Sequence, residues 1–198
     1  LYTSALSNTA LFTLKYTDGN TTDWFKALSQ LKTDFGTAMN IYTANGFFCY
    51  LPTHERLITQ SGQASELPIR QIILETIAEE DSDFFSWNLF RSEESYYLLR
   101  ILYIDHAYVG AWVSLDTMLD SLVGEEDRSS LVFSGEDGSL YRSLQPALSI
   151  TPPEQQKEAP YAAELIDGEK MFAVSRRLES GECYLTLLIP YADITNAN

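Results

Sequence analysis

Aromatic residues with polar tips recur along two neighbouring β-rich runs, residues 96–104 and 108–115. A tight turn between such runs predicts an antiparallel hairpin, in which alternate residues share a face. Tyrosine and tryptophan rings combine apolar surface with one hydrogen-bonding group, and a glycine among them leaves room. This face is therefore predicted to form the wall of a small-molecule pocket. It carries Tyr97, Leu99, Ile101 and Tyr103 beside Tyr108, Gly110, Trp112 and Ser114.

The hairpin turn is expected to be a two-residue loop flanked by Asp105 and Tyr108. The opposite face is then apolar with one charge and is predicted to pack on the core. Trp87 and Asn88 precede the hairpin and are predicted to line the same pocket. An alternative stays open, in which the aromatic rings are core beneath a helix at 69–78. The candidate ligand-binding residues are Trp87, Asn88, Tyr97, Tyr103, Tyr108 and Trp112.

Catalytic signatures are absent from the sequence. It has no Gly-x-Ser-x-Gly elbow, no His-Glu-x-x-His helix, no phosphate loop and no dinucleotide glycine fingerprint. The two histidines are His54, in a predicted turn, and His106, which follows Asp105 at the hairpin tip. No serine or cysteine nucleophile is spaced to accompany this Asp-His pair, so we expect the two residues to form the turn and not to take part in catalysis. The sequence predicts no catalytic residue, no cofactor and no enzyme activity in this segment.

Two further groups of residues could bind a metal or form a covalent link. The acidic run Glu79–Asp83 offers oxygen ligands, but it lacks the glycine and the alternating pattern of a calcium loop. We therefore expect a solvated loop and no metal site. Cys49 and Cys183 have no metal or redox spacing, and both lie in apolar strand-like runs. Two buried free thiols are expected, and a disulfide between them stays open.

Charge and hydropathy exclude several classes of partner. The 198 residues carry a net charge of -15, which repels a phosphate backbone and argues against nucleic acid and against anionic lipid. No apolar run is long enough to span a membrane, and no signal-peptide pattern occurs. The sequence begins at Leu1 rather than methionine, so a fragment or processed chain is expected.

Periodicity and turn residues predict an α+β fold. Residues 1–16 are expected to be helical, and a second helix capped by Thr22 or Asp23 carries an apolar stripe from Trp24 to Met39. Strands are predicted at 47–51, 56–60 and 84–90, a helix at 69–78 and a short amphipathic run at 116–123. After an exposed joint at 124–128, strands are predicted at 130–134, 139–142, 163–166, 170–178 and 182–189, with a proline-rich loop at 144–160.

Three stretches, with this order of elements, resemble the Cache family of sensor domains, which are built from PAS-like modules. Val109–Asp116 with the amphipathic run after it looks like a family strand leading into a connecting helix. Residues 131–142 look like the opening hairpin of a membrane-proximal module, and Lys170–Pro190 looks like its last two strands. The resemblance implies a long N-terminal helical segment (1–45), a membrane-distal PAS-like module (46–123) and a small proximal one (124–198).

The same resemblance implies an extracytoplasmic ligand-sensing region of a bacterial transmembrane receptor, foremost a two-component sensor histidine kinase. The implied partners are a small-molecule ligand and a membrane reached only through flanking transmembrane helices. Cys183 stands where the family often has tryptophan. The Arg-x-Trp-Tyr motif of amino-acid-binding members has its nearest match in Ser86-Trp87-Asn88, so amino-acid binding is not implied. The alternative is an interaction module without a ligand, a homodimer formed through the Trp24–Met39 stripe.

Overall fold

The computed structural model describes residues 8–62, 67–79, 87–92, 94–122, 130–143, 162–166, 169–178 and 183–195. The acidic run at 79–83, the joint at 124–128 and the proline-rich loop at 144–160 lie largely or wholly outside these residues. The chain divides into two compact units, Leu1–Thr117 and Met118–Asn198. The residues around the expected module boundary, 123–129, also lie outside the described ranges.

Five α-helices, one short 3-10 helix (Pro52–His54) and ten strands occur in the described segments. The helices are α1 (Thr9–Tyr16), α2 (Thr22–Ile41), α3 (Leu67–Ala78), α4 (Leu115–Leu122) and α5 (Tyr191–Thr195). The strands are β1 (Gly46–Leu51), β2 (Arg56–Ser61), β3 (Trp87–Ser92), β4 (Ser95–Ile104), β5 (Ala107–Ser114), β6 (Ser130–Ser134), β7 (Leu140–Ser143), β8 (Ala162–Ile166), β9 (Glu169–Arg177) and β10 (Tyr184–Pro190).

Side-chain caps set the starts of α1 and α2. Asn8 Oδ1 accepts a hydrogen bond from the Leu11 amide at 2.9 Å, and Thr21 Oγ1 accepts one from the Trp24 amide at 3.2 Å. The cap of α2 is therefore Thr21, and the expectation of Thr22 or Asp23 was wrong by one or two residues. A hydroxyl on extended backbone reaches the third following amide, and Thr21 has that backbone conformation.

The first unit contains an antiparallel five-stranded sheet in the order β2-β1-β5-β4-β3. Its central hairpin pairs Ile104 with Ala107, which leaves Asp105 and His106 as the two loop residues. The predicted loop was wrong by one residue. Both loop residues adopt left-handed backbone (φ 46° and 64°), which glycine usually marks in a sequence, and neither of them is glycine. The faces predicted for β4 and β5 are nevertheless correct, since Tyr103 pairs with Tyr108 and alternation follows from there.

One face of this sheet packs on α1 and α2. Trp24 and Leu31 are 0% and 2% exposed within a core that includes Leu102 and Val109, and Phe35 packs against the same core. Trp24 and Leu31 of the apolar stripe are thus buried within their own chain, whereas Leu28, Phe35 and Met39 are half-buried. A homodimer formed through that stripe, the alternative predicted from the sequence, stays a prediction.

The second unit contains another antiparallel five-stranded sheet, in the order β7-β6-β10-β9-β8. Val132, Met171, Ala173 and Leu188 form its buried cluster. The predicted α+β class, with a helical segment followed by two antiparallel-sheet modules, is confirmed. No helix in the described segments combines the length and apolar character needed to cross a membrane.

Candidate functional site

The second face of the first sheet packs against α3, and we call it the α3 face. Ile69 and Ile73 of α3 are 4% and 0% exposed, because their one-turn spacing directs both onto the sheet. The residues predicted from the hairpin alternation to share an aromatic face lie here. The buried cluster consists of Phe48, Leu57, Ile69, Ile73, Leu99, Ile101 and Trp112.

Trp112 lies in the closely packed middle of the α3 face. It is 0% exposed and pairs across the sheet with Gly46 and Leu99. Its Nε1 donor is buried and has no hydrogen-bond partner among the described residues. Of the two interpretations left open by the sequence, core or pocket wall, core packing therefore describes the surroundings of this ring.

A row of three tyrosines lies at the turn end of the same face, and we call it the tyrosine row: Tyr50, Tyr108 and Tyr103. The ring centroids of Tyr103 and Tyr108 are 4.8 Å apart, and those of Tyr108 and Tyr50 are 6.2 Å apart. Tyr50 and Tyr108 are half-buried, whereas Tyr103 is 52% exposed. The row thus runs from solvent into the sheet, and Tyr50 is a member that sequence reasoning missed.

The two residues predicted just before the hairpin fall on different faces. Asn88 pairs with Leu99 and so shares the α3 face, where Tyr97 stacks on Phe90 with ring centroids 5.3 Å apart. Trp87 pairs with Arg100 on the opposite face. The expectation that Trp87 lines the same pocket is therefore wrong, because the β3–β4 register directs its side chain to the other side of the sheet.

Arg70 brings a cation to the tyrosine row. From α3, its Nη1 donates to Thr59 Oγ1 at 2.7 Å and its Nη2 donates to the Leu57 carbonyl at 3.1 Å. Leu57 is also the cross-strand partner of Tyr50, so Arg70 and the half-buried Tyr50 both neighbour this residue. Both acceptors are neutral, and no carboxylate in the described ranges pairs with Arg70. Its charge is free to attract an anion.

A sequence signal for Arg70 was present, since this arginine interrupts the isoleucine-rich stretch 69–73. It was missed because the partners of a helical arginine depend on how the helix docks on the sheet. Arg91, by contrast, is exposed and lies within 5.6 Å of the Tyr96 ring. Arg91 and Tyr96 are cross-strand partners, and alternation along β3 and β4 directs both away from the α3 face.

The Asp-His pair at the hairpin tip has a structural role. Lys15 Nζ donates to the Asp105 carbonyl at 2.8 Å and also forms an ion pair with its carboxylate, while Tyr16 OH donates to the same carboxylate at 3.2 Å. The hydrogen bond from Lys15 is the main reason that the pKa of Asp105 is lowered from its ordinary value of 3.8. These contacts attach the end of α1 to the turn.

Neither a metal cluster nor a reactive thiol is found in the part of the chain that the structure describes. No group of three or more histidine, cysteine, aspartate or glutamate residues there could hold an ion. Cys49 and Cys183 are free and buried, and burial raises the pKa of each thiol to about 12. Both thiols are therefore neutral at physiological pH.

Comparison with known proteins defines the class of fold. No family model and no curated protein matches the sequence. Among solved structures, the chain has the fold of sensory ligand-binding domains, found in chemoreceptors and in the extracellular part of a histidine kinase.

Three solved structures illustrate this similarity. The chain is 9% identical (TM-score 0.54) to the ligand-binding domain of the Campylobacter jejuni chemoreceptor Tlp3 bound to L-norvaline, covering 100% of this chain and 83% of that one. It is 10% identical (TM-score 0.56) to the extracellular domain of the putative histidine kinase vpHK1S-Z8, covering 98% of this chain and 87% of that one. It is 13% identical (TM-score 0.53) to the ligand-binding domain of the Pseudomonas fluorescens chemoreceptor CtaA bound to L-isoleucine, covering 99% of this chain and 84% of that one.

Proposed function

We propose that this chain is the extracytoplasmic ligand-sensing region of a bacterial transmembrane receptor, a two-component sensor histidine kinase, and that this segment itself catalyses no reaction. The observation that carries the proposal is that Arg70 binds the backbone of Leu57, the cross-strand partner of Tyr50 in the tyrosine row. A few polar groups among aromatic walls are typical of small-molecule sites. The fold shared with sensory domains supports the same function.

The chemistry of the cluster favours a small anionic ligand. A guanidinium forms two parallel hydrogen bonds with a carboxylate, and the neutral acceptors Thr59 and Leu57 leave the charge of Arg70 uncompensated. Tyr50 and Tyr108 offer ring surface to the ligand's apolar part and hydroxyl groups to its polar part. The Tlp3 and CtaA domains were solved with L-norvaline and L-isoleucine, which carry carboxylates. We therefore propose a small carboxylate.

Binding at this position provides a route to a signal. The site joins α3, which contributes Arg70, to the hairpin strands, which contribute Tyr103 and Tyr108. A ligand that contacts both elements stabilises the conformation in which they are close, and so shifts a two-state equilibrium by its differential affinity. The central strand β5 continues into α4 at Leu115 without an intervening loop, so a shift of β5 acts directly on that helix.

Carboxylate binding tests the site. A set of small carboxylates and their neutral amides is screened by thermal shift, and each hit is titrated by calorimetry. We expect Arg70→Gln to weaken the binding of a hit by at least about tenfold, because the charge-assisted pair is lost. The matched control is Arg91→Gln, which removes an exposed arginine from the same unit and should leave affinity unchanged.

Two results would contradict the proposed ligand site. One is the absence of any carboxylate that raises the melting temperature of the wild-type domain. The other is an equal loss of affinity in Arg70→Gln and Arg91→Gln, which would reflect net charge rather than a site. The topology is tested separately, by exposing spheroplasts that carry the native gene product to an external protease. Protection of this segment from cleavage would oppose an extracytoplasmic position.

A further inference from the structure

A small cavity lies on the opposite side of the first sheet, between the N-terminal helices and strands β1 and β5. Its volume is about 90 Å³. Apolar side chains dominate its walls, and Phe35 and Phe47 stack there with ring centroids 5.8 Å apart. The apolar lining comes chiefly from Leu11, Leu31, Phe35, Ala38, Phe47 and Val109.

Asp34 is the charged side chain of this cavity. Its Oδ2 accepts a hydrogen bond from Asn8 Nδ2 at 2.8 Å, and its Oδ1 accepts one from Gln30 Nε2 at 2.8 Å. Both donors are neutral amides, so they orient the carboxylate without neutralising it. No lysine or arginine in the described segments forms an ion pair with it. An oriented, uncompensated carboxylate thus adjoins an apolar recess.

We propose that this cavity binds a small organic ammonium ion, with its hydrocarbon part against Phe35 and Phe47 and its ammonium group on Asp34. Charge complementarity selects the cation, and the net charge of -15 raises the local concentration of cations around the chain. The size of the cavity selects a short chain, because apolar cavities that admit benzene have volumes of about 150 Å³. Three or four carbons therefore suit the apolar part.

This site is independent of the proposed carboxylate site. The sheet separates the two, since Phe47 and Val109 face α1 and α2 whereas the tyrosine row faces α3. The charges of the two sites also differ in sign, anionic at Asp34 and cationic at Arg70. Failure of either ligand to bind therefore leaves the other proposal unaffected.

The experiment titrates the purified domain at low salt with n-butylammonium chloride and, in parallel, with 1-butanol as its neutral counterpart. Binding is followed by amide chemical shifts. We expect the ammonium to bind about tenfold or more tightly than the alcohol, with the largest shifts in α2 and β1. Asp34→Asn should abolish this preference. Asp23→Asn, an exposed acid of the same helix, should keep it.

A second variant tests the position of the apolar part. Ala38→Leu projects a larger side chain into the cavity and should remove the binding of both compounds. Circular dichroism and the melting temperature report whether Ala38→Leu folds. If Ala38→Leu does not fold, the comparison of wild type with Asp34→Asn tests the proposal on its own. Equal affinity of the wild type for the ammonium and the alcohol overturns the proposal. So does a preference that survives in Asp34→Asn, or the absence of any saturable shift.

Discussion

The indole ring of Trp112 lies directly over the backbone of Gly46 in the neighbouring strand. A Cβ atom at position 46 would lie 2.1 Å from Cζ2 of that ring, far inside van der Waals contact. The glycine is required here because the ring needs the space, and its backbone is not in the left-handed region. Trp112 and Gly46 thus form one packing unit at the centre of the α3 face.

Substituting Gly46 tests that packing. Gly46→Ala should reduce the free energy of unfolding by about 1–3 kcal/mol, because a rigid buried ring must move. Gly36→Ala is the matched control: nothing lies within 4 Å of a Cβ there, and alanine is the better helix former. We expect the control to gain about 0.5–1 kcal/mol in urea unfolding. Similar losses in both variants would contradict the packing described here.

The ion pair of Lys15 and Asp105 predicts a dependence of stability on pH. The folded-state pKa of Asp105 lies below 3.8, so its stabilising contribution is present above that pH and is lost as the pH falls through the folded-state pKa. The difference in unfolding free energy between wild type and Asp105→Asn should therefore shrink between about pH 7 and pH 2. Asparagine tolerates the left-handed backbone of the turn, so the comparison isolates the charge.

Lys15→Met provides the reciprocal control for that experiment. It removes the cationic partner of Asp105 while keeping a long apolar stem, and the hydrogen bond from Tyr16 OH remains. In the Lys15→Met background, Asp105→Asn should have an effect that varies much less with pH. A loss that stays constant from neutral to acid conditions in the wild-type background would show that the ion pair does not contribute to folding.

In the second unit, the buried Thr186 and the half-buried Ser175 form a hydroxyl pair across β10 and β9. Their oxygen atoms are 2.7 Å apart, and Thr186 is 0% exposed. Thr186→Val should cost about 1–2 kcal/mol, because Ser175 then loses its partner. Adding Ser175→Ala should recover part of that loss in urea unfolding. Strictly additive effects of the two substitutions would show that the hydroxyls do not interact.

The two cysteines predict how thiol reagents react with the folded protein. With both thiols buried and their pKa values at about 12, neither forms much thiolate at mild alkaline pH. A chromogenic aromatic disulfide should therefore release almost no colour from the native protein and should titrate both thiols in guanidinium chloride. Rapid reaction of one thiol in the native state would contradict its burial. Cys49→Ser and Cys183→Ser assign the signal.

Alternation along β4 and β5 was enough to predict which residues share a face. It holds because residues alternate between faces along each strand and the loop has the predicted length of two residues, so the misplaced turn at Asp105 and His106 changed the pairing but not the faces. The prediction for Trp87 was wrong for a different reason. Its face depends on the register between β3 and β4, which is set by a turn and not by its own neighbours in sequence.

The candidate site was predicted only in part. Tyr108 and Tyr103 were predicted because aromatic residues stand out in a strand, and their contact with a ligand stays a prediction, whereas Trp112 lies in the core. Tyr50 and Arg70 were missed because both reach the site through non-local pairing. Tyr50 lies in the row because β1 pairs with β5, and Arg70 lies at Thr59 because α3 docks on β2. Neither the pairing nor the docking is encoded in a local sequence pattern.

The strand order β2-β1-β5-β4-β3 also has a consequence for folding. Strands β4 and β5 are joined by a loop of two residues. Strands β1 and β5 are far apart in sequence: Ser114 N, at the end of β5, donates to Asn45 Oδ1, just before β1, and the two residues are 69 positions apart. Closing that long loop costs more chain entropy than closing the hairpin, so we expect the hairpin to form early and β1 to join late. A chain synthesised from its N-terminus holds β1 and β2 without their central partner until β5 emerges.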